Sequence, residues 1–369
     1  MLLQAYPTRK IGADRVSAIG FGAMGIGGFA YGSAGDDESR FRVLDKLVEL
    51  GCTNWDTADI YGDSEELIGK WFKRTGKRDQ IFLASKFGVT PGGMRGDPEY
   101  VKASIERSLN LLGVGTIDLY YVHRIDPTVP IEITMHALVD LVKVGKIRYI
   151  GLSAPSPNTL RRAHKIHPIA AIQVEYSPFV MEIEEKGHLL ETARELGVAV
   201  VAYSPIGKGL LSGQITCHAD LPDNDFRRIF PKYSDANFPT ILALGKKLKE
   251  LGSAHNATAG QVALAFLLAQ GDDIIPIPGH DPLSPTFGVP HEDSSVAPSP
   301  PSGFVALHPA AVEAARELKA AHDARVAVGL PGYVSNDSAL KLDRESTSNG
   351  NSPVTNPILG TLKGVFTKE

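Results

Sequence analysis

A (β/α)8 TIM barrel is the fold class this sequence predicts, and three observations predict it. Eight short apolar segments alternate with amphipathic helical patterns, and a glycine closes several of those patterns just before the next segment. The 369 residues leave room for all of them in one large α/β domain. A six-stranded doubly wound sheet accounts for the alternation less well.

The segments read as strands are, in order, Val16 to Gly20, Cys52 to Asp56, Ile81 to Lys86, Ile117 to His123, Ile147 to Ser153, Ala170 to Glu175, Val198 to Ser204 and Ile274 to Pro278. Between them, Val101, Ile105, Leu109 and Leu112 recur at helical spacing, as do Ile131, Met135, Leu138 and Val142, and such faces need a sheet to pack on. Asp97 before Pro98 reads as an N-cap followed by a first-turn proline. Gly51, Gly113, Gly145 and Gly197 end helical patterns where a left-handed residue is wanted. Residues 1–14 are expected to form a small cap. The long interval from Ser204 to Ile274 leaves room for inserted loops and helices at the catalytic face.

After Gly279 the texture changes. His280 to Ser302 holds six prolines, no lysine or arginine and no sustained period, and reads as loop or disorder. A helical pattern returns over Pro309 to Val328, and from Ser335 the chain is rich in serine and asparagine. The expected organisation is one barrel domain over 1–332, with an atypical Pro-rich loop at 280–302, and a disordered tail over 333–369.

The 38 basic and 42 acidic residues give a formal net charge of −4, and the pI is about 6.3, so no field attracts nucleic acid or an anionic membrane. No apolar run approaches the ~18 residues of a spanning helix, and Met1-Leu2-Leu3-Gln4 is too short for a signal-peptide core. A cytoplasmic protein is expected, without nucleic-acid or membrane partners; the oligomeric state leaves no signature. Cys52 and Cys217 are too few for a disulfide framework or a cysteine-rich zinc site and are expected as reduced thiols.

Gly20-Phe21-Gly22-Ala23-Met24-Gly25 fits the G-x-G-x-x-G dinucleotide fingerprint. Its context fails, because Ile26-Gly27-Gly28-Phe29-Ala30-Tyr31-Gly32 continues as loop and a helical pattern starts only near Asp37. A glycine-rich loop that lets a ligand approach its backbone fits better. His164 and His167, among Arg161, Arg162 and Lys165, read as a solvated basic face more than a metal site, and no metal is expected.

A stronger constellation lies at successive strand ends. Asp56 and Tyr61 follow the second expected strand, Lys86 ends the third and His123 the fourth, and in a barrel such ends converge on one face. Reducing a carbonyl needs a hydride donor and a proton donor. A free tyrosine, with a pKa of about 10, is a weak acid at neutral pH, and a nearby ammonium favours its phenolate. Asp56 would hold Lys86 charged and oriented, and His123 would hydrogen-bond the carbonyl. Singly, each has a structural reading too: a buried ion pair, a turn before a helix cap, a satisfied strand-end histidine. Four in barrel register favour a site. Phe29, Tyr31 and Phe87 are placed as pocket walls, with core packing as the alternative, and Arg124 to meet an anionic substrate group or a structural salt bridge.

The sequence resembles the aldo-keto reductase superfamily. The residues that carry the resemblance are Asn54-Trp55-Asp56-Thr57-Ala58-Asp59-Ile60-Tyr61-Gly62 with Glu65-Glu66-Leu67-Ile68-Gly69, Ser85-Lys86-Phe87-Gly88, and Asp118-Leu119-Tyr120-Tyr121-Val122-His123-Arg124. Gly145-Lys146-Ile147-Arg148-Tyr149-Ile150-Gly151-Leu152-Ser153, Gln173-Val174-Glu175-Tyr176-Ser177 and Ala202-Tyr203-Ser204-Pro205-Ile206-Gly207-Lys208-Gly209 continue it, so that it covers roughly Gly12 to Gly279. The resemblance implies an NAD(P)H-dependent oxidoreductase that reduces small aldehydes or ketones, with Tyr61 as general acid and Asp56, Lys86 and His123 completing a tetrad. It also implies that Ser153 and Gln173 hold the nicotinamide carboxamide, that Tyr203 stacks on the ring, and that Ser204, Gly207, Lys208 and Gly209 hold the pyrophosphate. NADPH is the implied cofactor and NADH the second candidate. A cofactor-binding regulatory subunit and a catalytically impaired paralogue are the alternative functions.

Two departures stand out. Ala154 occupies a position where many relatives carry asparagine. After Ile277-Pro278-Gly279 the cationic loop and Glu-Asn helix that bind the adenosine 2′-phosphate are missing, since no lysine or arginine occurs from Glu250 to Ala315. The segment 280–302 is either a divergent loop or the product of an altered exon boundary, and the preference for NADPH over NADH is open.

Overall fold

The computed structural model describes residues 7–28, 35–185, 187–212 and 238–279, scattered positions between 215 and 234, and Lys319. An antiparallel hairpin comes first, β1 (Thr8–Ile11) and β2 (Asp14–Ser17). The chain then alternates: β3 (Phe21–Gly22), α1 (Asp37–Glu49), β4 (Asn54–Asp56), α2 (Ser64–Thr75), β5 (Phe82–Phe87), a small antiparallel flap of β6 (Val89–Thr90) and β7 (Gly93–Met94), then α3 (Pro98–Leu112). It continues through β8 (Ile117–Val122), α4 (Ile131–Lys143), β9 (Ile147–Ser153), α5 (Pro157–Ile166), β10 (Ile169–Glu175), α6 (Leu189–Leu196) and β11 (Ala199–Tyr203), and ends in α7 (Phe238–Ala254), α8 (Ala259–Leu268) and β12 (Ile274–Pro276).

Strands β3, β4, β5, β8, β9, β10, β11 and β12 lie side by side in chain order, all parallel. The sheet closes on itself. Gly20 N donates to Pro276 O at 2.9 Å, Gly22 N to Pro278 O at 3.0 Å, and Gly22 bridges Gly279. This is the (β/α)8 barrel expected from the alternation. Local signals hold where they were read: the Asp97 side chain accepts from Tyr100 N at 3.0 Å, Pro98 opens α3, and Gly113 ends it at φ 63°. The interval after β11 is filled partly by the helices α7 and α8.

One expectation is corrected. Val16 does not begin a barrel strand. It sits in the hairpin with Ile11, and both pack with Ala84, Leu119, Ala171, Val201 and Ile275 in the barrel interior, so the hairpin plugs one end while Phe21–Gly22 supplies the first stave. Gly20 and Gly22 of the glycine motif lie at the barrel seam, and the backbone of the motif is closely packed. A Cβ on Gly20 would stand 2.8 Å from the Asn54 carbonyl oxygen, one on Gly22 2.9 Å from that of Ile277, and one on Gly27 1.9 Å from that of Tyr61. Gly25–Gly27 is a short 3-10 turn, and the next α-helix opens at Asp37 under an Asp36 cap.

The outer layer is the larger core, in which Trp55, Phe87, Tyr120 and Leu152 of the sheet meet Val101, Ile105, Met135 and Leu138 of the helices. The Pro-rich segment 280–302, the helical pattern after Pro309 apart from Lys319, the tail over 333–369, and Phe29 and Tyr31 lie outside the described residues.

Candidate active site

Alternation along each strand decides which side chains enter the barrel. In β4, Trp55 faces the helices and Asp56 the interior. In β5, Lys86 enters, while Phe87 turns outward, is fully buried and stacks on Tyr120 with ring centroids 5.1 Å apart. Phe87 therefore belongs to the outer core and does not wall the pocket as expected.

The Lys86 ammonium uses all three of its hydrogens. It donates to Asp56 Oδ1, to the Thr57 carbonyl oxygen at 2.7 Å, and toward the Tyr61 hydroxyl at 3.5 Å. Burial alone would discharge this amine. The contact with Asp56, with a contribution from Tyr61, outweighs it and holds Lys86 above the ordinary lysine range. Burial also raises the Asp56 carboxyl, against the opposing pull of Lys86 and of a 2.7 Å hydrogen bond from Gln173 Nε2. The Thr57 carbonyl was missed in the sequence because a backbone group leaves no mark in residue types.

His123 follows β8 with its ring set edge-on to Tyr61, centroids 5.8 Å apart. Its Nδ1 is buried without a hydrogen-bond partner. Burial, reinforced by the charges of Arg124 and Lys86, pushes the imidazole far below its usual range, so the ring is neutral near pH 7. It can donate one N–H but has no imidazolium proton to give. The Tyr61 hydroxyl is the group that faces the Lys86 ammonium beside this ring.

Ser153 and Gln173 are paired neighbours at the ends of β9 and β10. Gln173 commits its amide nitrogen to Asp56, which leaves Oε1 to accept from a ligand. Ser153 Oγ accepts from Arg124 Nη1 at 2.9 Å, which leaves its hydroxyl hydrogen to donate. An acceptor beside a donor matches a primary carboxamide. Ala154 follows at φ 48°, its N–H donating to the Gln173 carbonyl oxygen at 2.8 Å. A left-handed backbone costs such a residue roughly 1–2 kcal/mol, and asparagine tolerates it better.

Tyr203 ends β11, half-buried. Beyond it the backbone turns left-handed at Ser204 (φ 52°), Gly207 (φ 61°), Lys208 (φ 54°) and Gly209 (φ 94°). Lys208 Nζ lies 3.2 Å from both carboxylate oxygens of Glu175, and its carbonyl accepts from Arg227, a buried arginine held by Asp225. Glu175 was not singled out in the sequence. The signal was its place two residues after Gln173, on the same face of β10.

A further carboxylate was also missed. The Asp59 side chain is 5% exposed, with Oδ1 unpartnered and Oδ2 at 3.4 Å from Arg107 Nη2. Burial, and then the charge of Glu65, push it up to about 7. At the opposite end of the barrel a cleft of about 1260 Å³ is crossed by the Arg78–Asp118–Arg148–Asp14 ion pairs and contains none of the site residues. Among the described residues, no group of three or more His, Cys, Asp or Glu could hold a metal, and no helix is long and apolar enough to cross a membrane.

Comparison with known proteins places the chain among characterised families. A family model described as the aldo/keto reductase family matches residues 18–283. The aldo-keto reductase str7 of Strobilurus tenacellus is 60% identical over 279 residues, covering 74% of this chain and 83% of that protein. The aldo-keto reductase yakc [NADP(+)] of Schizosaccharomyces pombe is 48% identical over 283 residues, covering 74% and 82%. Among solved structures, the glycerol dehydrogenase AKR11B4 from Gluconobacter oxydans superposes with a TM-score of 0.71 at 26% identity, over 90% of this chain and 99% of that one. The aldo-keto reductase AKR11C1 from Bacillus halodurans does so at 0.64 and 26%, over 85% and 96%.

Proposed function

This chain belongs to the aldo/keto reductase family, and from that premise we propose that it reduces a small aldehyde or ketone to the alcohol with NADPH, Tyr61 giving the proton. The bound nicotinamide would supply the hydride to the carbonyl carbon. Ser153 and Gln173 would hold its carboxamide through the donor and acceptor they present, Tyr203 its ring, and Ser204, Gly207, Lys208 and Gly209 its pyrophosphate. The choice of NADPH is supported by the NADP(+) in the name of the Schizosaccharomyces pombe relative.

The substrate oxygen is received between the Tyr61 hydroxyl and the neutral His123 ring. As negative charge grows on that oxygen, Tyr61 passes its proton there, and the phenolate left behind faces Lys86. Lys86 stays charged because Asp56 is its buried partner, and Gln173 and Thr57 fix that pair in place. The observation that carries the proposal is this three-contact ammonium, one of whose contacts is the Tyr61 hydroxyl. The same intact arrangement argues against a regulatory subunit that only binds cofactor. NADPH consumption with a panel of simple aldehydes is the test, alongside fluorescence titration of the cofactor. Turnover supports the reductase, whereas binding without turnover favours the regulatory reading.

A further inference from the structure

Arg124 stands directly after His123, and its side chain runs along the rim to β9. Its Nη1 donates to the His123 carbonyl oxygen at 2.7 Å and to Ser153 Oγ at 2.9 Å, both neutral acceptors. Among the described residues its Nε and Nη2 make no hydrogen bond, and neither atom is buried. Among the described residues no carboxylate reaches it. The nearest acidic residue in sequence, Asp126, is occupied: Oδ2 accepts from Gly96 N at 2.9 Å, and Oδ1 from Thr128 N and Oγ1 at 2.8 and 2.7 Å. Other partly or fully buried arginines do hold carboxylates, Arg9 that of Asp272, Arg40 that of Asp63, Arg78 that of Asp118 and Arg227 that of Asp225.

Ser153 faces the barrel interior, because the residue it pairs with, Gln173, reaches Asp56 across it. The guanidinium resting on Ser153 is therefore at the mouth, next to the His123 backbone. Half-buried, with two open nitrogens in a planar fork, it is shaped for a carboxylate. Resting on the reductase reading above, we infer that Arg124 binds an anionic group of the substrate, so that the enzyme prefers aldehydes or ketones carrying a carboxylate a short spacer from the carbonyl. The spacer is short because Arg124 Nη1 lies 2.7 Å from the carbonyl oxygen of His123, the residue proposed to receive the carbonyl.

The experiment pairs benzaldehyde with 4-carboxybenzaldehyde at one ionic strength. Charge-assisted hydrogen bonds predict a kcat/KM ratio of about tenfold or more in favour of the carboxylate. In Arg124→Gln that ratio should fall to near one, mainly through KM, while Arg124→Lys keeps part of it. An unchanged ratio in Arg124→Gln overturns the inference, as does a wild-type ratio near one. If Arg124→Gln does not fold, the wild type decides. Benzoate competing with 4-carboxybenzaldehyde where benzamide does not supports the inference, and equal competition overturns it. If the wild type turns over neither aldehyde, the reductase reading fails and Arg124 is judged by calorimetric titration with benzoate: saturable binding that is stronger than for benzamide supports the subsite, and no binding overturns it.

Discussion

Gln173 donates to Asp56 at 2.7 Å across 117 positions of sequence, and so ties β10 to β4 through the barrel interior. The same bond occupies the Gln173 amide nitrogen and leaves Oε1 for the carboxamide contact proposed above. Gln173→Leu is expected to remove both effects: an unsatisfied Asp56 oxygen costs roughly 1–3 kcal/mol in urea unfolding, and the cofactor dissociation constant rises about tenfold. An unchanged dissociation constant would separate Gln173 from the carboxamide.

In the proposed mechanism, Tyr61→Phe removes the proton donor and little else. Its kcat for any aldehyde should fall about 10²-fold or more, while NADPH titrates as in the wild type. A rate close to wild type would remove Tyr61 from the chemistry.

Lys86→Met leaves the Asp56 carboxylate buried without its cation, a loss of roughly 3–5 kcal/mol for a broken buried pair. Asp56→Asn combined with Lys86→Met should recover most of that stability without recovering activity. Denaturant midpoints of the two variants measure the difference. Equal midpoints would show that the pair is not coupled.

Asp59 is pushed up to about 7 by burial and by Glu65. The unfolded chain releases this proton near pH 4, the folded protein only near 7, so between those values the folded state holds a proton that the unfolded state has lost. Stability then falls as pH rises through this window and levels off above it. Asp59→Asn removes the titration, and its melting temperature relative to wild type should climb from pH 4 to pH 7. A constant difference would contradict the raised carboxyl.

With no lysine or arginine between Lys249 and Arg316, a 2′-phosphate lacks its usual cations there. Each charge-assisted contact contributes roughly 1.5–3 kcal/mol, so NADPH and NADH should bind with dissociation constants closer together than in relatives that keep the clamp. A preference for NADPH above about a thousandfold, or roughly 4 kcal/mol, would mean that another basic group holds the phosphate.

Much of this architecture was legible in the residues alone. Alternating apolar segments and closing glycines specified the barrel, Asp97-Pro98 and Gly113 bounded a helix, and the barrel rule placed Asp56, Tyr61, Lys86 and His123 on one rim. These are local signals, set by period and by backbone geometry. Tertiary structure decided what depends on the other side of a contact. Val16 has the alternation of a stave but plugs the barrel, because the hairpin end of the interior is open to it. Gly20 and Gly22 look like a phosphate loop but close the seam, because the Asn54 and Ile277 carbonyls press on them. The pairing of Lys208 with Glu175, the commitment of Gln173 to Asp56, the open nitrogens of Arg124 and the raised carboxyl of Asp59 arise from distance and burial between segments far apart in the chain. Charge and hydrogen bonding act through space, and only the closed barrel sets those distances.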